Sequence, residues 1–304
     1  MARSDDSSVL GQFIPLHYHH NMLSDGVRMR GFKTAIDYAV PLGGKVLDLG
    51  GGTGVLSFFA MQKAGKVWCV ERNPELVSKA RQILSLNDCG KKIKVIKADA
   101  FEYLPPEPVD VVICEMIHVA MLREKQIPII NSFKERYLAR FGNPLPQFVP
   151  EAFIQAVQPV EHDFTFDGFY APIPILQNPN LIHEKTRELG TPMVYQLHTY
   201  RDPIPDQCEW SGDIEIEKEG SLNALRFVTK NILAVVTETK KTIDWHSHYL
   251  ILPLPKAHPV GLGDSIRIGF SYKAGASISD LEETLTTEVR PSSSESRLPA
   301  TGAA

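Results

Sequence analysis

The sequence predicts an α/β chain: a doubly wound parallel sheet followed by an antiparallel, β-barrel-like domain. Three observations carry this. Residues 45–140 alternate short apolar runs with longer amphipathic ones. The first apolar run ends in a glycine-rich turn, "VLDLGGGTGVL" (Val46–Leu56). Past "GNPLPQFVPEAF" the period changes, and only strand-like runs follow. Strand–helix alternation makes a parallel sheet covered on both faces, whereas strand after strand makes an antiparallel one.

The elements follow in order. Residues 1–40 read as helical and aromatic-rich. "KVLDLG", "KVWCVE", "KIKVIKAD" and "VDVVICE" read as strands buried on both faces, and "VLSFFAMQKA", "PELVSKARQILSLN" and "REKQIPIINSFKERYLA" as the helices between them. From about residue 151, "AFIQAVQPV", "MVYQLHTY", "DIEIEKEG", "ALRFVTKNILAVVTET", "HYLILPLP" and "DSIRIGFSYKAG" read as strands. The tail "RPSSSESRLPATGAA" is small and polar, and disorder is expected there. Its "LPATG" lacks the hydrophobic stretch and basic end of a sortase signal. The expected division is 1–148, 149–288 and a disordered 289–304.

Composition narrows the function. The 304 residues are 43% hydrophobic and 22% charged, enough for two domains with real cores. A net charge of −4 gives no footprint for nucleic acid. The cysteines (Cys69, Cys89, Cys114, Cys208) are scattered with no CxxC pair. Neither a zinc site nor a disulfide framework is expected, and a reducing, cytoplasmic setting is. The N-terminus has no apolar signal-peptide core, and no apolar run reaches the ~18 residues of a membrane span.

The chemistry gathers at strand ends. Gly50, Gly52 and Gly54 allow a tight turn and close approach of a ligand to the backbone. A dinucleotide fingerprint would need G-x-G-x-x-G, but from Gly50 the third glycine position holds Val55. Asp48, just before the turn, suits an amino group better than a pyrophosphate. Glu71 ends the second strand, where a carboxylate can accept ribose hydroxyls. Asp99 ends the third and suits an exocyclic amine. Glu115 ends the fourth. Ligands of such sheets lie at the carboxyl ends of strands, so the four acids form one constellation.

This assembly resembles the class I, S-adenosylmethionine-dependent methyltransferases, with their Rossmann-like domain. The resemblance implies that Asp48 and the glycine loop face the methionine part of the cofactor, Glu71 the ribose, and Asp99 with the Ala100 backbone the adenine. It extends further. "HHNMLSDGVRMRGFKTAI" is similar to the N-terminal segment of the protein arginine methyltransferases, in which an arginine at the place of Arg28 pairs with the cofactor carboxylate. "CEMIHVAMLRE" has the spacing of their double-E loop, in which two glutamates clamp a guanidinium; here these are Glu115 and Glu124. "IDWHSHYLILPLP" aligns with their Thr-His-Trp loop. Relatives pair through an arm at the place of residues 163–192, which implies a homodimer; here that segment is proline-rich and reads as only partly helical.

The departures fall on the acceptor side. Met116, Ile117, His118 and Val119 stand where the family has Trp-Met-Gly-Tyr. Ile243 and Asp244 replace the Thr-His pair before Trp245. The family histidine pairs with an aspartate at the place of Asp25, so here a cation such as Arg30 would have to intervene between two acids. His118 lies inside the acceptor loop and is the expected general base beside Glu115 and Glu124. Tyr18, His19, Met22, Asp244, Trp245 and His246 are expected to line the acceptor pocket. His246 and His248 are expected on one face of a strand, without a third metal ligand. The expected function is methyl transfer to an N, S or C atom of a small molecule. Protein arginine methylation and a non-catalytic cofactor-binding module are the alternatives.

Overall fold

The computed structural model describes Ile14, residues 16–89 and residues 92–292. Two helices, α1 (Leu16–Ser24) and α2 (Gly26–Ala39), precede the sheet. Asp25 caps α2 by accepting the backbone N–H of Arg28 at 3.0 Å. The helix buries Phe32, Ala35, Ile36 and Ala39, a stripe at i, i+3, i+4 and i+7.

The first sheet is built from β1 (Lys45–Leu49), β2 (Lys66–Glu71), β3 (Ile93–Lys97), β4 (Val111–Cys114) and β5 (Gln147–Val149). Helices α3 (Val55–Ala60), α4 (Pro74–Ser85) and α5 (Gln126–Phe141) lie between them in sequence. The strands run parallel in the order β3-β2-β1-β4-β5. The order reverses at β1, so β1 and β4 flank the switch point where such sheets open a crevice. β4 is buried throughout and β1 nearly so, as continuous apolar runs require. The last helix starts three residues later than the sequence reading placed it; Pro128 is tolerated because it falls in the first turn.

The antiparallel domain follows: β6 (Ala152–His162), β7 (Thr165–Phe166), β8 (Phe169–Tyr170), β9 (Ile175–Gln177), β10 (Thr186–Glu188), β11 (Met193–Thr199), β12 (Gln207–Glu215), β13 (Gly220–Val236), β14 (Lys241–His246), β15 (Tyr249–Val260), β16 (Ser265–Lys273), α6 (Ile278–Thr284) and β17 (Thr286–Arg290). One sheet runs β10-β6-β13-β15-β9, with β11 also on β6 and β14 also on β13; the other runs β12-β16-β17. They enclose a shared core in which Val157, Phe227 and Leu252 meet Ile266, Ile268 and Phe270. The long strand β13 leaves this core at Phe227 and enters the other, where Leu233, Ala234 and Trp245 join the packing under the parallel sheet.

Two expectations need correction. Segment 163–192 contains no helix: it is a β7–β8 hairpin and two short strands, with Pro172, Pro174 and Pro179 denying a helix its donors. The antiparallel domain also runs past 288, because β17 pairs with β16 as far as Arg290. The end of the expected tail, residues 293–304 with "LPATG", lies outside the described residues. Among the described residues no helix is long and apolar enough to cross a membrane, and no cluster of three His, Cys, Asp or Glu side chains could hold a metal. All four cysteines are free and buried.

Candidate active site

The glycine turn crosses the carboxyl end of β1 with Gly50, Gly52 and Gly54 at φ +74°, +53° and +84°. A Cβ on Gly50 would come within 2.8 Å of the Met116 sulfur, and one on Gly52 within 2.9 Å of His19 Cε1. The turn is therefore a cradle that only glycine leaves open. Glu71, at the end of β2, accepts the Gly52 N–H at 3.0 Å and the Asn73 N–H at 2.7 Å, which fixes its carboxylate beside the turn. Asp99 accepts the Phe101 N–H at 2.9 Å and pairs with Arg72 at 3.2 Å, and Ala100 beside it is buried. Asp48 lies beneath the turn, 1% exposed, and accepts the Ser57 hydroxyl at 2.6 Å. Burial pushes its proton affinity up to about 7.

Opposite the turn stands the segment after β4. Glu115 forms an ion pair with the Arg28 guanidinium, which α2 directs toward it. Arg28 also lies over the Trp245 ring, 5.2 Å from its centroid, and Trp245 packs against Phe32 of α2. Burial raises the Glu115 proton affinity, and Arg28 opposes that shift. Glu124, half-buried, is pushed up to about 7, first by loss of water and then by the charge of Glu115. The charge of Glu115 thus reaches Glu124. The loop between them is strained: Ala120, Met121 and Arg123 all have φ between +53° and +61°.

Gln126, which sequence reasoning missed, fixes this arrangement. It is fully buried at the start of α5. Its amide accepts the Met116 N–H at 2.9 Å and donates to the Cys114 carbonyl at 2.7 Å, clamping the backbone on both sides of Glu115. A polar residue opening an apolar helix is the only signal the sequence offered.

His118 lies between the glutamates in sequence. Its Nδ1 meets the Val119 carbonyl at 3.2 Å, which assigns the proton to Nδ1 and leaves the Nε2 lone pair open; Nε2 is buried without a partner. Burial lowers its proton affinity to about 4, so the ring is neutral at physiological pH. His19 sits above the glycine turn, with its affinity lowered by burial and Glu71 and Arg28 within electrostatic reach. Tyr18, on the same helix, is 54% exposed, and Met22 is half-buried.

The expected cation between Asp25 and Asp244 takes another form. Asp244 pairs with Lys230 on the neighbouring strand at 2.7 Å, while Asp25 is occupied as a helix cap. His246 ends β14 half-buried, its proton affinity lowered by burial. His248 lies beyond the strand, in the link to β15, so the two histidines do not share a strand face.

Cradle, fixed carboxylates on one side and a guanidinium on the other suit an elongated ligand that carries hydroxyls at one end and a carboxylate at the other, which fits S-adenosylmethionine. Comparisons with known proteins agree. Residues 46–135 match a family model described as a methyltransferase domain. An uncharacterized protein of Methanothermobacter thermautotrophicus is 28% identical over 268 residues, 88% of this chain and 97% of its own. An arginine N(omega)-methyltransferase of Streptomyces achromogenes is 32% identical over 134 residues, 42% of this chain and 37% of its own. The fold matches that of Arabidopsis thaliana protein arginine methyltransferase 10 with a TM-score of 0.72 at 18% identity, over 93% of this chain and 95% of the other. The chain is accordingly an enzyme, a class I S-adenosylmethionine-dependent methyltransferase that resembles the protein arginine methyltransferases in architecture.

Proposed function

We propose that the enzyme methylates a nitrogen of a small cationic acceptor, an amine or guanidine of amino-acid size, held between Glu115 and Glu124. One observation supports this reading: Glu115, paired with Arg28, lies near enough to Glu124 for its charge to help raise the Glu124 proton affinity to about 7. Such a pair is costly unless a cation lies against it. Arg28 supplies that cation at Glu115 in this structure. S-adenosylmethionine supplies an electrophilic methyl group for an in-line displacement when bound. Arg28 is the residue to meet its carboxylate, Glu71 its ribose, Asp99 and the Ala100 backbone its adenine, and Asp48 with Gly50, Gly52 and Gly54 its methionine part. As Arg28 turns to that carboxylate, Glu115 is freed for the acceptor. Glu124 has the proton affinity best matched to taking up the proton that the nitrogen loses. His118, neutral and open at Nε2, accepts a hydrogen bond from the acceptor and orients it. Tyr18, His19, Met22, Trp245 and His246 complete the lining, and Asp244 is held by Lys230.

The name of the Streptomyces relative, an arginine N(omega)-methyltransferase, supports a guanidine acceptor. Protein arginine methylation is the second reading, favoured by the nine-residue spacing of Glu115 and Glu124. Methyl-labelled cofactor offered with L-arginine, simple amines and an arginine-rich peptide tests both. Label in the small molecules supports the first reading, and label in the peptide alone supports the second. Cofactor binding without transfer to any acceptor would leave a binding module.

A homodimer is also proposed. Phe169, Tyr170, Ile173 and Ile182 of segment 163–192 are all more than half exposed, apolar side chains that a second copy would cover. A monomeric mass by light scattering at micromolar concentration would contradict it.

A further inference from the structure

The inward-facing row of β13 is apolar except at two successive positions. It reads Phe227, Thr229, Asn231, Leu233, all buried. The neighbouring row of β6 does the same: Phe153, Gln155, Val157. Gln155 pairs in register with Thr229, and Asn231 pairs with Phe153 on one side and Trp245 on the other. The Ser247 N–H donates to the Thr229 carbonyl at 3.2 Å, so Ser247 extends the belt onto a third segment. Polar side chains thus cross the sheet between its two cores.

The belt lies under the acceptor loop. The Ala120 N–H, between Glu115 and Glu124 in sequence, donates to the Thr229 hydroxyl at 2.8 Å. Trp245 in turn lies beneath Arg28, which holds Glu115. Thr229 is satisfied and Gln155 Oε1 accepts the Tyr272 hydroxyl at 3.4 Å, but other polar atoms of the belt are not paired. Gln155 Nε2, both amide atoms of Asn231, Trp245 Nε1 and Ser247 Oγ are buried without hydrogen-bond partners, as is His118 Nε2 in the loop that carries Ala120. Apolar residues at these positions would continue the core on either side without that cost. These buried atoms lack partners beneath the loop that joins Glu115 to Glu124, where a ligand's polar end could pair with them.

We propose that this belt is the binding site for the far end of the methyl acceptor. Its open groups are mostly donors: two carboxamide N–H₂ groups, an indole N–H and a hydroxyl. They match a carbonyl-type oxygen, in an amide or a carboxylate. The acceptor class is therefore amino-acid-like, cationic at the methylated nitrogen and carrying a carboxylate or amide at the other end. This rests on the reading that Glu115 and Glu124 hold the cationic end. Asn231 is then a specificity-determining residue, because it offers a donor and an acceptor side by side.

The test uses the full chain with S-adenosylhomocysteine bound and three guanidine probes: L-arginine, L-argininamide and agmatine, which has no carboxyl group. Calorimetry should give at least one of the first two an affinity about tenfold or more above agmatine, the scale of one lost hydrogen bond to a buried partner. Preference for L-arginine identifies a free amino acid, and preference for the amide identifies a peptide-like source. Asn231→Leu should reduce the better probe to the level of agmatine, with S-adenosylhomocysteine affinity unchanged. Equal binding of all three, or a preference that survives in Asn231→Leu, overturns the proposal. A second readout needs no acceptor: with its open amide removed, the ligand-free Asn231→Leu chain should melt about 2–4 °C higher. A lower melting temperature would mean that the belt is satisfied within the fold, and would overturn the proposal on its own. If none of the probes binds the unmodified chain, the cationic-acceptor reading fails. The melting result then decides the belt, a rise keeping it as a ligand site and a fall ending it.

Discussion

Two walls of one crevice end their polar groups in opposite ways. On the wall formed by β1, β2 and β3, Glu71 accepts two backbone N–H groups, Asp99 holds Arg72 and a backbone N–H, and Asp48 takes the Ser57 hydroxyl. On the wall formed by the loop after β4 and by β13, Glu115 depends on Arg28 from a distant helix, Glu124 holds its proton to about 7, and His118, Asn231 and Ser247 leave polar atoms open. The first wall has its polar groups paired within the fold. The second leaves several unpartnered, and that asymmetry accords with the proposal of one fixed cofactor and a selected acceptor.

Substitutions at Glu115 should break the comparison most sharply. Glu115→Gln leaves Arg28 without its partner and the acceptor without its anion. A fall in kcat/KM of at least about 10²-fold is expected, the scale of about 3–5 kcal/mol for breaking a buried pair. Cofactor affinity should hold or improve, because Arg28 is released toward the cofactor carboxylate. Steady-state kinetics with calorimetry checks this, and equal losses in turnover and cofactor affinity would contradict it. On the first wall the pattern should invert. Glu71→Ala is expected to weaken S-adenosylmethionine binding by about 1.5–3 kcal/mol, the worth of charged hydrogen bonds. Unchanged affinity by calorimetry would remove Glu71 from the cofactor site.

The same asymmetry governs what the sequence disclosed. The first wall was legible because its signals are local: a glycine turn directly after an apolar run, and acids at successive strand ends. The parallel sheet followed from the alternation of element types. The other wall showed in the sequence only as the Glu115–Glu124 spacing. Its other parts join residues far apart in the chain. Thr229 meets Ala120 across 109 positions, and the polar interruptions of β6 and β13 align only once their register is known. Lys230, rather than Arg30, answers Asp244 because β13 and β14 lie side by side. Residues 163–192 escaped a helix through prolines whose spacing a partly helical reading underweighted.

A smaller effect should be visible in stability. Folded Asp48 and Glu124 both keep their protons to about pH 7, whereas unfolded carboxyl groups lose theirs near about 4. The folded chain therefore binds more protons in that window. The stability these groups contribute is complete below about pH 4 and is lost as pH rises through about 7. The ligand-free chain should melt lower at pH 8 than at pH 6, and Asp48→Asn and Glu124→Gln should each narrow the difference. A difference untouched by either substitution would assign it to other groups.

The most direct measurement is the proton released when a cation fills the acceptor wall. L-arginine is titrated into the complex with S-adenosylhomocysteine at pH 7, in buffers of different ionisation enthalpy. Glu124, whose proton affinity is pushed up to about 7, should ionise against the guanidinium, so binding should release protons. In Glu124→Gln that release should vanish while binding weakens. A heat of binding identical in every buffer, with L-arginine bound, would contradict an acceptor wall that waits for a cation.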